Sequence, residues 1–129
     1  MSDNPRDLRY TNDHEWARAD GANVRVGITT HAVEALGDIT LVNLDVKVGG
    51  AVTAGKAFGT VESVKAVSDL FAPISGKIAA VNGALNDKPE LVNEDPYGLG
   101  WMVTIEPAAG ESIDKLLTAE AYDALLGTL

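Results

Sequence analysis

A chain of 129 residues can bury one hydrophobic core but not two, and its 46% hydrophobic content argues against a disordered polypeptide. Nineteen acidic residues against ten basic ones give a formal net charge of -9, a surface that a phosphate backbone would repel, so nucleic acid is set aside as a partner. Cysteine is absent, which excludes disulfides, thiolate zinc sites and cysteine nucleophiles; any thiol chemistry must arrive on a prosthetic group.

Aromatic residues make up only 5%, so the core must be built from Val, Leu, Ile and Ala, and 13 glycines point to turns and strands rather than a helical bundle. The start, Met1 to Asp7, has no apolar segment of the kind a leader carries and is acidic where a transit peptide is not. No stretch approaches the ~18 apolar residues needed to span a membrane. A soluble, cytoplasmic, monomeric protein is expected.

In chain order, Glu15-Trp16-Ala17-Arg18 and the alternating Val24-Arg25-Val26-Gly27-Ile28 flank the turn cluster Asp20-Gly21-Ala22-Asn23, predicting a hairpin. Thr29 or Thr30 can cap a short helix over His31 to Leu36, ended by Gly37. From Thr40, Val42, Leu44, Val46 and Val48 alternate with polar residues, predicting one half-buried strand through Val48. Strands are predicted at Lys56 to Glu62, Ala66 to Phe71, Lys77 to Val81 and Trp101 to Glu106. Asn86-Asp87-Lys88-Pro89 predicts a helical turn running through Val92, and Asp95-Pro96-Tyr97-Gly98 a tight turn. From Glu111 to Leu129 the apolar spacing becomes three or four, predicting one or two terminal helices. Many short strands with close-set turns suggest a small sandwich or barrel. One echo stands out: Val48-Gly49-Gly50-Ala51-Val52 and Ile74-Ser75-Gly76-Lys77-Ile78 share an apolar-x-Gly-x-apolar pattern and bracket Lys65.

Sites for autonomous catalysis fail one by one. His14-Glu15 begins like a zinc-protease helix, but Arg18 occupies the position of the second ligand, and His31 has no partner at ligand spacing. The glycines from 27 to 37 lack the Gly-Lys-Ser/Thr ending of a phosphate loop. Ser63 and Ser68 lack the setting of a nucleophile elbow. A binding or carrier module is favoured over an enzyme. The remaining segment, Gly59 to Leu70, reads as two β runs joined at a bend containing Lys65. A solvated lysine at a hairpin tip is the ordinary reading. The bend nevertheless lacks the Asn-Gly or Asp-Gly that such hairpins favour, and a protruding tip is what enzymatic acylation requires.

Glu62-Ser63-Val64-Lys65-Ala66, followed by Ser68-Asp69 and Pro73-Ile74-Ser75-Gly76, resembles the lipoylation segment of the glycine cleavage H-protein family. The resemblance extends through His14-Glu15-Trp16, Gly27-Ile28-Thr29, Leu36-Gly37-Asp38-Ile39, Leu91 to Gly98 and Gly100-Trp101-Met102, in collinear order over roughly residues 7 to 126. It implies a mostly β barrel-sandwich hybrid, lipoyl-domain-like, of two antiparallel sheets with short peripheral and C-terminal helices. One domain over 1–129 is implied, with a lipoyl-like core at about 24–106 and a helical segment at about 111–127. It further implies covalent lipoate on Lys65, with Glu62 helping the lipoate-attaching enzyme recognise the site. Asp13, Glu15 and Asp69 match polar positions near a cleft that shelters the loaded arm. The family often has Ser at the position of Asp13, and Ala35 stands where some members carry a histidine that packs on the lipoyl group. The implied function is non-catalytic: carrying the aminomethyl group of glycine from glycine decarboxylase to the aminomethyltransferase, with dihydrolipoamide dehydrogenase reoxidising the arm. Ordinary explanations exist beside these: Glu15 and Asp69 as carboxylates at strand ends, Trp16 and Trp101 as packing residues. Other swinging-arm modules fit less well, since lipoyl domains of 2-oxoacid dehydrogenases show Asp-Lys-Ala and biotinyl domains Met-Lys-Met where this chain has Val64-Lys65-Ala66. An H-like fold serving as a lipoyl relay or an interaction module stays open.

Overall fold

The computed structural model describes residues 4–128; Met1 to Asp3, part of the stretch read for a leader, and Leu129, at the end of the helical tail, lie outside the described residues. Strands β1 (Arg9–Tyr10), β2 (Glu15–Asp20) and β3 (Asn23–Ile28) form an antiparallel meander. The two-residue turn Gly21-Ala22 joins β2 to β3 with Asp20 opposite Asn23, and Gly21 takes the φ of 63° that such a turn demands. Helix α1 (Thr30–Leu36) is capped by Thr29, whose hydroxyl accepts from the Ala32 N–H at 3.3 Å, a contact of a kind that contributes about 1 kcal/mol. It ends at Gly37 with φ 82°, where the glycine N–H donates to Val33 O.

Strand β4 (Ile39–Leu44) is shorter than the alternation predicts. Asp45 N–H still donates to Phe58 O, but Gly49 at φ 89° then turns the chain and Val48 is left 68% exposed. There follow β5 (Ala51–Val52), β6 (Ala57–Ser63), β7 (Val67–Phe71) and β8 (Gly76–Val81). The predicted helical turn around Asn86 is instead two four-residue helices, α2 (Ala84–Asp87) and α3 (Leu91–Glu94). Pro89 is the cause: the residue before a proline is pushed out of the helical region, and Lys88 sits at φ -132°, ψ 65°. β9 (Val103–Pro107), a single 3-10 turn (Ile113–Lys115) and α4 (Ala119–Leu126) complete the chain.

The expected mostly β architecture of two antiparallel sheets with short helices is found. One sheet runs β1-β2-β3-β9-β8-β5, the other β4-β6-β7. The main core fills the space between them, with Val26, Val42, Phe58, Val61, Leu70, Ile78 and Ile105 at its centre. A second cluster of Leu8, Tyr10, Trp16, Ala119 and Tyr122 packs α4 onto the other face of β1 and β2. Trp16 lies flat on Gly27, where a β-carbon would stand 2.7 Å from three atoms of the indole, and its Nε1–H donates to Pro96 O. The two echoed segments pair with each other: Ala51 faces Lys77, Val52 faces Gly76, Gly49 N–H donates to Ile78 O, and Ile78 N–H donates to Gly50 O. They close the base of the excursion that carries Lys65. Among the described residues no helix is long and apolar enough to cross a membrane.

Candidate functional site

Lys65 sits at the tip of the β6–β7 hairpin, beyond the Glu62–Val67 pair. Two-residue hairpins normally need φ > 0 in the turn, yet neither Val64 nor Lys65 has it; among non-glycine described residues only His14 does. The turn is closed instead by Ser63. Its N–H donates to Ala66 O at 2.8 Å, and its hydroxyl oxygen accepts from the N–H of Lys65 and of Ala66. This side-chain-built turn explains why the usual Asn-Gly signal is missing.

The tip is also braced from below. Val64 N–H donates to Asp38 O, and the loop containing Asp38 is clamped by Asn93, whose amide nitrogen donates to Gly37 O while its oxygen accepts from Ile39 N–H. Asn93 belongs to the Leu91-to-Gly98 motif, so that motif supports the lysine hairpin through two hydrogen bonds. Lys65 itself is exposed, and among the described residues its Nζ makes no hydrogen bond or ion pair. A primary amine so placed fits acylation: nothing has to be broken to reach it.

Glu62 faces Leu41 on β4 and Val67 on β7, so the carboxylate rises between two exposed apolar side chains. Val64, 70% exposed, adds a third at the tip. Ala35, on α1, is exposed.

Glu15, the first residue of β2, is buried at 2% exposure on the wall of a cleft of about 300 Å³. Oε1 accepts from the Thr11 hydroxyl at 2.8 Å and Oε2 from the Phe71 N–H at 3.1 Å, so this carboxylate ties the β1–β2 turn to the edge strand β7. Burial pushes its pKa up to about 7; the Phe71 N–H and the Thr11 hydroxyl pull the other way, and the charge of Asp13 adds to the rise. Asp13 lines the same cleft, with its N–H on Thr11 Oγ1. The opposite wall is Lys115, Leu116 and Leu117, held by mutual backbone bonds between Leu117 and Tyr10. Asp69 is exposed on β7 outside the cleft lining, opposite Thr60 and two residues before Phe71.

Behind Glu15, the Tyr122 hydroxyl is hydrogen-bonded to His14 Nδ1 and to Thr29 Oγ1, each at 2.8 Å, and the His14 and His31 rings lie 4.5 Å apart. Burial and the neighbouring His31 lower the His14 pKa, while burial pushes Tyr122 up to about 12. Among the described residues no group of three or more His, Cys, Asp or Glu is disposed to hold a metal.

Thr11 and the Lys115-to-Leu117 wall carry no signal that sequence reasoning could read as a site, and Asn93 is marked only as part of the Leu91-to-Gly98 motif, without its bracing role. They contribute by tertiary contact with residues far away in the chain.

The model of the glycine cleavage H-protein family matches residues 8–128. The glycine cleavage system H protein of Myxococcus xanthus is 55% identical over 127 residues, covering 98% of both chains, and that of Geobacillus kaustophilus is 56% identical over 122 residues, covering 95% of both. The crystal structure of a glycine cleavage system H protein from Mycobacterium marinum superposes with a TM-score of 0.86 at 49% identity, covering 96% of this chain and 99% of that one. Hairpin, braced tip and near-complete coverage agree, and the chain belongs to the glycine cleavage H-protein family.

Proposed function

We propose that this chain is the lipoyl carrier of glycine cleavage, a cytoplasmic, monomeric and non-catalytic subunit with lipoate in amide linkage to Lys65. The observation that carries the reading is an exposed, unpaired amine on a braced hairpin tip in a chain of this family. When bound, the lipoyl group supplies a cyclic disulfide that takes up the aminomethyl group of glycine and is later reoxidised. The chain's own residues do the rest. Ser63, Asp38 and Asn93 hold the tip, so each enzyme meets the amine in one place. Glu62, between Leu41 and Val67, is offered to the lipoate-attaching enzyme. The cleft beside Glu15, walled by Leu116 and Leu117, offers apolar surface against which a folded-back arm would be shielded from water, and the ionised Glu15 carboxylate can accept hydrogen bonds from a protonated amine. Asp13 at the cleft and Asp69 on β7 add negative charge nearby.

The partners under this reading are glycine decarboxylase, the aminomethyltransferase and dihydrolipoamide dehydrogenase; tethering lets weak docking to each suffice. We read residues 1–129 as one carrier domain with a lipoyl-like core at about 24–106 and a helical segment at about 111–127 that contributes a cleft wall. Intact mass of protein from lipoate-replete cells tests the assignment: a lipoyl increment present in the parent and lost in Lys65→Arg, together with loss of glycine-dependent turnover. An unacylated Lys65, or a Lys65→Arg variant that still supports turnover, overturns it.

A further inference from the structure

Acidic side chains outnumber basic ones nearly two to one, so arginines here have partners to hand. Arg6 pairs with Glu120 and Asp123, Arg9 with Asp114, and Arg25 with Asp20. Arg18 pairs with no carboxylate among the described residues; its guanidinium donates only to Tyr97 O, at 3.4 Å. It also stands directly across the β2–β3 ladder from Arg25. Like charges at opposite ladder positions are destabilising on their own, a cost that the Arg25–Asp20 pair offsets for Arg25 while Arg18 is left with no carboxylate of its own among the described residues.

Both guanidiniums rest on indoles. Arg18 Cζ is 5.5 Å from the Trp16 ring centroid and Arg25 Cζ is 4.9 Å from that of Trp101. Stacking uses the face of a guanidinium and leaves its N–H edge for a planar anion. The segment linking the two contacts, Tyr97 to Trp101, exposes Leu99 at 64%. Arginine, tryptophan and tyrosine around an accessible leucine is the composition of an interface hot spot.

We propose that Arg18 and Arg25 form a docking site for an acidic segment of a partner protein, one of the enzymes that act on the carrier. The Arg18 fork suits a side-chain carboxylate; Arg25, which keeps its pair with Asp20, adds positive charge beside it; and Leu99 is available to an apolar neighbour on the same segment. A membrane surface or nucleic acid is the wrong occupant, because an extended anionic surface meets the chain's net charge of -9 as well as the two arginines. The site lies on the six-stranded sheet while Lys65 lies on the three-stranded one. An enzyme can therefore hold the body here and leave the arm free to work.

The inference rests on the carrier reading, and the test separates the two. Turnover by the lipoylated parent in the decarboxylase, aminomethyltransferase and dehydrogenase half-reactions tests the carrier. The ratio of variant to parent tests the docking site. In Arg18→Gln/Arg25→Gln, the KM for the carrier should rise about tenfold or more in at least one half-reaction at low salt, with kcat little changed. The gap should close as salt screens the contact. Arg18→Lys, which keeps the charge and loses the fork, should fall between. A KM within twofold of the parent in all three half-reactions overturns the proposal, as does a defect that persists at high salt alongside a lowered melting temperature.

Discussion

Lys65 lies over Gly37: the lysine Cε is 3.6 Å from where a β-carbon at position 37 would stand. Gly37 is also the residue that ends α1 at φ 82°. One glycine thus stops a helix and forms the floor beneath the Lys65 stem. In Gly37→Ala the new methyl reaches only ordinary contact distance, so the cost is in the backbone, about 1–3 kcal/mol for an L-residue held at φ 82°, ψ -150°, a conformation essentially confined to glycine. Urea denaturation should show that loss while the rate of Lys65 acylation stays at the parent value.

Asn93→Ala should do more damage at a distance. It removes the donor to Gly37 O and the acceptor for Ile39 N–H together, at a cost of about 1–3 kcal/mol for the orphaned groups. Asp38 O, which braces Val64, lies between those two contacts. Acylation followed by mass spectrometry should therefore slow, although residue 93 is 28 positions from the lysine in sequence. Asn93→Asp keeps one acceptor and loses the donor, and it should fall on the damaged side.

Glu15 sets a pH dependence. Its folded pKa, about 7, lies above the ordinary 4.5, so between those values the folded state holds a proton that the unfolded chain has released. Stability therefore declines as pH rises through this window and levels off above it. The loss is on the order of 3 kcal/mol. Glu15→Gln, which keeps the shape and cannot ionise, should flatten that slope in urea titrations run from pH 4.5 to 7.5. It should also shorten the lifetime of the aminomethyl-loaded carrier without preventing lipoylation. Equal decay rates in variant and parent would remove Glu15 from the protective role.

Gly27→Ala tests the second cluster. Its β-carbon would stand 2.7 Å from Trp16 atoms Cε2, Cζ2 and Nε1, so the indole must move and release Pro96 O. Overpacking of this kind costs about 1–3 kcal/mol. A changed tryptophan emission spectrum should accompany a lowered melting temperature.

Local signals carried much of the fold. Asp20-Gly21 placed the first hairpin, and Thr29 and Gly37 bounded α1, because turns and caps depend on residues a few positions apart. Where the chain departs from the local pattern, a tertiary cause is visible. The Thr40-to-Val48 alternation runs on past Leu44, but the chain must turn at Gly49 to pair with β8. The place of Lys65 at a hairpin tip was legible in the β runs on either side of it. A cleft near Glu15 was implied only by the family resemblance, and its far wall could not be read from the residues, since it comes from Leu116 and Leu117, about a hundred residues away in the chain. Arg18 reads in the sequence only as a residue that spoils a zinc motif, and Arg25 only as a strand residue. Their juxtaposition emerges from the ladder register and from the two indoles beneath them.

The pairing of β5 with β8 pinches together residues 51–52 and 76–77. Everything from 53 to 75 is thereby a loop with a clasp at its neck, and within it β6 and β7 zip up almost to the lysine. A mast fastened at both foot and waist does not sway. The sweep by which a cargo passes from one enzyme to the next must come from the side chain and whatever is attached to it, and lengthening that tether, rather than loosening the polypeptide, is the way to extend the carrier's range.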